Sequence, residues 1–217
     1  MPSSLCHLAF GKMVYRKLIS NMSLNKVNFM SGNLIPDLAT TDKKLSHYRK
    51  KASVYGLFVP DMEQVEKEIF ILEDSIKLGM YSHLYLDYHF IEEFLIPEFI
   101  WDKPRMKIGN PRTGEEWDPE PFFKPDGIYY GAFNEIDQML IENGYVSRKD
   151  ISELPEILPN TGMEIFDTRQ SKSWKTELEE HLELKDKYIG KVFDCERLVD
   201  FISKISIEFT NEIIKKK

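Results

Sequence analysis

From Met62 to Phe94 the chain reads MEQVEKEIFILEDSIKLGMYSHLYLDYHFIEEF, with no proline and with apolar side chains recurring at helical spacing. As one unbroken helix this segment would run about 50 Å. At about 100° per residue, Val65, Ile69, Leu72, Ile76, Gly79, His83, Asp87, Phe90 and Phe94 fall within roughly ±40° of a single line. That line is the buried stripe. His83 and Asp87 stand in its middle, one turn apart and pointing the same way. A carboxylate isolated in an apolar layer is very costly, so Asp87 must be paired or hold a metal. Gly79, one turn earlier, leaves room for another chain segment to approach.

Outward from this helix the pattern stays helical. Ser3 and Ser4 offer N-caps for a first helix to about Ile19. A looser segment, Asn21 to Leu38, carries Gly32, Asn33 and Pro36, and a short basic segment runs from Asp42 to Lys51 with a turn at Val59-Pro60-Asp61. Between Pro97 and Gly131 lie six of the eleven prolines, with a strong turn signal at Asn110-Pro111-Arg112-Thr113-Gly114. Ile108 and Trp117 flank that turn as in a small hairpin. Helices are then expected over about Phe133–Glu142, Lys172–Tyr188 and Cys195–Ile214. The expectation is an all-α fold. It is a single helical domain, 1–217, with a proline-rich loop or small hairpin inserted at about 97–131.

Composition excludes several classes. With 42% hydrophobic residues the chain is too apolar for a disordered protein, and no apolar run approaches the ~20 residues of a membrane span. Twenty-nine basic against 36 acidic residues, net −7, give no strong nucleic-acid signal. Only Cys6 and Cys195 are present, too few for a disulfide framework. The opening MPSSLCHLAFGKMVYRKL has Lys12, Arg16 and Lys17 within it and no apolar signal core, so a cytoplasmic protein is expected.

The first helix repeats the oddity of the long one. His7 joins Phe10, Gly11, Val14 and Leu18 on its apolar stripe, again with a glycine one turn away. Gly32-Asn33-Leu34-Ile35-Pro36-Asp37 ends an apolar run on an acid, and His47 interrupts the basic segment ten residues on. Each has a plain alternative. A core histidine often only donates to a carbonyl, Asp37 can cap a turn, and His83 with Asp87 can be a hydrogen-bonded pair without metal. Taken together, three histidines and two acids match the nitrogen and oxygen ligands that zinc accepts.

His83-Leu-Tyr-Leu-Asp87 resembles the His-x-x-x-Asp element of the zinc-dependent phospholipase C family, whose fold the single-strand nucleases share. The opening Met-Pro-Ser-Ser-Leu-Cys-His7 and Gly-Asn-Leu-Ile-Pro-Asp37 are similar to the starts of short bacterial members, and the order His, Asp, His, His-x-x-x-Asp is the family's order. The resemblance covers roughly residues 1 to 100. It implies a phospholipase C-like helical bundle with up to three zinc ions that activate water against a phosphodiester. By position, Asp37, His47, His83 and Asp87 would hold one ion, and His7 with Asp87 would contribute to a neighbouring one.

The chain departs from the family in two ways. Secreted members use a processed N-terminal amine as a ligand, and they carry a later His and a His-x-x-x-Glu pair. His89-x-x-x-Glu93 has that spacing but faces roughly 200° away from Asp87. Glu177 and His181 stand in reverse order, and His181 lies near the Trp174 and Leu178 stripe. One or two ions are therefore expected, zinc or another divalent metal.

The function expected is hydrolysis of a phosphate ester or phosphodiester by a metal-activated water, with Asp37 orienting or deprotonating that water as the catalytic acid–base group. Lys44 and Arg49, beside Lys50 and Lys51, would steer an anionic small-molecule or lipid-derived substrate. Trp101, Trp117, Phe122, Phe123, Tyr129 and Tyr130 form either a wall or lid over the site, satellite packing or a partner surface. Two rival readings stand: a histidine–aspartate phosphohydrolase, whose adjacent His-Asp pair this chain lacks, and a non-catalytic binding or scaffold protein that keeps a residual structural metal or only a polar core.

Overall fold

Ser3 is extended, and its hydroxyl accepts the Cys6 amide at the start of α1 (Ser4–Leu18), satisfying one of the free N–H groups of the first turn. A computed structural model describes residues 2–38, 42–54, 56–124, 127–166, 174–182 and 192–217, without the side chains of Glu177 and His181. Next come α2 (Lys26–Gly32), capped by Asn25, and α3 (Ile35–Leu38). The pattern shows only a loose segment here, because Gly32, Asn33 and Pro36 mask the periodicity. Burial of Phe29, Met30, Leu34 and Ile35 overrides those weak propensities. Then α4 (Lys43–Ser46) leads into β1 (Arg49–Lys51), which pairs antiparallel with β2 (Phe58–Pro60).

The single long helix is in fact two, α5 (Met62–Ile69) and α6 (Ser75–His89). Phe70 turns extended, and the Asp74 carboxylate accepts the Ile76 and Lys77 amides to start α6. Aspartate serves better as a cap than inside a helix, which is why the break falls there. Every residue from Leu78 to Asp87 is buried, so α6 is the central helix. A π-helical turn, Phe90–Leu95, follows it and runs into α7 (Ile96–Glu98). Pro97 has no N–H with which to continue the ladder.

The insertion is more ordered than a loop. Strands β3 (Ile100–Asp102), β4 (Lys107–Gly109) and β5 (Glu116–Trp117) form one antiparallel sheet in that order. Ile108 stands opposite Trp117. In the turn between them Asn110 Oδ1 accepts the Arg112 amide at 2.9 Å, and Gly114 takes φ +74°. The all-α expectation is thus corrected: the fold is helical in the main and carries two small antiparallel sheets. Prolines spread through the insertion keep any one helix from crossing it, so short extended pieces pair and only a short helix, Pro119–Phe123, forms.

After α8 (Pro119–Phe123) comes α9 (Ile128–Glu142), which starts at Ile128 rather than near Phe133. Then follow α10 (Arg148–Ser152), α11 (Trp174–Leu182) and α12 (Cys195–Lys215). Both ends of the expected Lys172–Tyr188 helix lie outside the described residues. Phe122 and Tyr129 are buried among Phe99, Phe133 and Phe193 in edge and tilted ring contacts, as part of the main hydrophobic core. Buried Glu98 ties the insertion to α12, taking Arg197 at 2.8 Å and Arg112 at 3.1 Å. Among the described residues no helix is long and apolar enough to cross a membrane.

At the crossing of α2 and α6 the two backbones come into direct contact. A Cβ on Gly32 would lie 2.1 Å from the Ile76 carbonyl oxygen, and one on Gly79 would lie 2.2 Å from that of Phe29. Each glycine admits the other helix's backbone. The approach brings the Asn33 carbonyl to His83, one turn beyond Gly79.

Candidate metal centre

Five side chains from four segments meet below this crossing: His7 of α1, Asp37 of α3, His47 just after α4, and His83 and Asp87 of α6. His7, His47, His83 and Asp87 are fully buried, and the Asp37 side chain is 10% exposed. His83 Nε2 lies 3.4 Å from His47 Nε2 and 3.4 Å from Asp87 Oδ2. His47 Nε2 is 3.4 Å from Asp37 Oδ1 and 3.6 Å from Asp87 Oδ2, while the loosest separation, His83 to Asp37 Oδ2, is 3.9 Å.

Those spacings can be set against coordination geometry. A tetrahedral zinc with bonds of about 2.0–2.1 Å places its ligand atoms about 3.3–3.4 Å apart. His47, His83 and Asp87 come within about 0.2 Å of this spacing, while His83 to Asp37 Oδ2 is about 0.5 Å wider. The hydrogen bonding agrees, because both Asp87 oxygens are buried without a hydrogen-bond partner. A carboxylate in that position calls for a cation.

The two central imidazoles are fixed from behind. His83 Nδ1 donates to the Asn33 carbonyl at 2.8 Å, and His47 Nδ1 donates to the Lys43 carbonyl at 3.1 Å beside Ser46 Oγ at 2.8 Å. With Nδ1 engaged, each ring turns the Nε2 lone pair inward, the arrangement that metal-ligating histidines use. Neither carbonyl has a signature in the sequence, since any residue supplies one. His7 is different. Its ring stacks on His83 at 3.6 Å between centroids, its Nε2 lies 3.3 Å from Asp87 Oδ1, and neither ring nitrogen makes a hydrogen bond. The two possible donor groups, His7·His83·Asp87 and Asp37·His47·His83, share the single free nitrogen of His83. One ion therefore fits this set better than two.

Charge follows the same geometry. Burial drives the His7 pKa down to about 4, reinforced by His83. Burial also opposes charge on His83, but the Asp87 and Asp37 carboxylates outweigh it and the pKa rises. Asp37 and Asp87 are held well below the usual carboxylate range despite burial, chiefly by His47 and His83 respectively. For His7 the folded pKa lies below the unfolded one, so the unfolded chain takes up a proton first as pH falls. Metal-free protein is therefore expected to lose about 3 kcal/mol between pH 6.5 and 4 through this residue. His7→Phe keeps a stacking ring without the titration. Chemical denaturation of both proteins with chelator at pH 7 and 4.5 checks this; equal acid sensitivity would refute it.

The remaining expected residues fall outside the cluster or at its edge. Lys44 is exposed on α4, and Arg49 is half-buried at the start of β1. His89 pairs with Glu93 at the surface, away from both donor groups. The side chains of Glu177 and His181 lie outside the described residues. Sequence reasoning missed Lys43, whose Nζ sits 3.1 Å from Asp37 Oδ1. Compared with family models, with curated proteins and with solved structures, the chain gives no match.

Proposed function

We propose that this protein is a metal-dependent hydrolase of phosphate esters or phosphodiesters, phospholipase C-like in its first hundred residues and working in the cytoplasm. The observation that carries the reading is the set of inward nitrogen and oxygen atoms spaced 3.4–3.9 Å apart around two tautomer-fixed imidazoles. Cys6 and Cys195, both free thiols, suit a reducing compartment.

In this reading His47, His83 and Asp87 hold the ion, zinc by preference. When bound, a divalent ion supplies Lewis acidity, lowering the pKa of a coordinated water and offsetting charge on a phosphoryl oxygen. Asp37 is the loosest of the four and, among the five cluster side chains, the one with any exposure. Its carboxylate, held ionised by its neighbours, orients the attacking water by accepting a hydrogen bond from it. The buried walls keep bulk water from the remaining ligand atoms.

One observation favours the scaffold reading. If Asp37 also binds, the site has four protein ligands and is nearly closed, the pattern of a structural metal. Metal analysis of protein purified without added metal, with hydrolysis of bis(p-nitrophenyl) phosphate and p-nitrophenyl phosphate, separates the two. About one zinc per chain with metal-dependent turnover is the expected result. Zinc without turnover assigns the scaffold, and protein that takes up no divalent metal refutes the hydrolase.

A further inference from the structure

Lys43 is bound to the cluster twice. Its carbonyl accepts from His47 Nδ1, and its ammonium reaches round to Asp37 Oδ1 at 3.1 Å. That oxygen is also 3.4 Å from His47 Nε2, so it borders the space between the imidazoles. The Lys43 side chain is 53% exposed, whereas Asp37 is 10% exposed and its partners are fully buried. Among the described residues, Lys43 therefore stands where the cluster meets solvent.

A divalent ion held by His47, His83 and Asp87 would lie beside the Asp37 carboxylate and repel the ammonium that pairs with it. Their mutual repulsion at a few ångströms is appreciable even with water screening. Resting on the function proposed above, we propose that Lys43 is an exchangeable counter-ion. It neutralises Asp37 in the metal-free protein, is displaced when the metal binds, and then takes an anionic oxygen of the substrate at the mouth. Lysine suits such an exchange, because its long stem carries a compact charge between two positions without a change in backbone. The substrate-binding cation is thus Lys43, not its neighbour Lys44.

The test compares wild type, Lys43→Met and Lys43→Arg. Zinc affinity is read by competition with a chromophoric chelator, and inorganic phosphate affinity by the visible spectrum of the cobalt-loaded protein. Lys43→Met is expected to bind zinc about tenfold more tightly than wild type and phosphate about tenfold more weakly. Lys43→Arg should lie near wild type in both. A merely structural role for the side chain predicts the opposite sign for zinc, since Asp37 would lose its support. Equal or weaker zinc binding by Lys43→Met overturns the proposal while leaving the metal site standing. Tighter zinc with unchanged phosphate overturns the substrate role. Wild type that takes up neither zinc nor cobalt overturns the functional reading, and this proposal with it.

Discussion

Asp87→Leu is expected to abolish zinc binding while leaving the metal-free protein folded. Asp87 lies within 3.6 Å of His7, His47 and His83, and both its oxygens lack a hydrogen-bond partner. Structural zinc sites gain roughly 12 kcal/mol from the metal; spread over four ligands, that is about 3 kcal/mol each, or roughly a hundredfold in affinity. Loss of a buried anion among imidazoles exceeds this even share. Without metal, Asp87 pairs with His83 and His7, and removing one partner of a buried pair costs stability. The cost is moderated because both imidazoles take the neutral form once the carboxylate is gone. For wild type, zinc at a hundred times its Kd should add about 2.7 kcal/mol of stability and raise Tm by about 5–10 °C. Thermal unfolding of Asp87→Leu should show no such rise. Asp87→Asn, which keeps the volume, should lose most of it. A variant that still responds to zinc like wild type would remove this cluster from consideration.

The cluster was legible for a specific reason. Histidine and aspartate interrupt the apolar runs of α1 and α6, and an ionisable side chain among core residues is visible without any structure. Asp37 and His47 belong to short elements with no period of their own; they were reached through their order along the chain. What supports the cluster left no trace, because the Asn33 and Lys43 carbonyls carry no side-chain signal. The fold shows the same division. The bounds of α12 followed from its long amphipathic pattern, and the Ile108–Trp117 pair from its turn residues. The break at Phe70–Asp74 did not, since Asp74 sits within a run that keeps helical spacing on both sides. Periodicity reports which face is buried, and it is blind to a cap that restarts the helix in near phase.

Gly79→Ala should do heavy damage to the fold for the addition of one methyl group. Its Cβ would stand 2.2 Å from the Phe29 carbonyl oxygen and 2.9 Å from the Asn33 amide. Both are backbone atoms, and they bond to each other at 3.0 Å at the end of α2, so neither can swing aside. The helices must separate. Alanine's better helix propensity returns about 1 kcal/mol, against overpacking of several kcal/mol where no side chain can yield. A net loss of about 3 kcal/mol is expected, or about 6–12 °C in Tm. Gly109→Ala is the control, because its nearest neighbour, Ile100 Cβ, would be 3.6 Å away in ordinary contact. The effect should reach the metal site as well. Separating α2 from α6 draws the Asn33 carbonyl away from His83 Nδ1, and a ligand imidazole that loses its outer partner typically binds metal 10–100-fold more weakly. If Gly79→Ala unfolds early but binds zinc like wild type at low temperature, the crossing supports the core alone and His83 is held by other contacts.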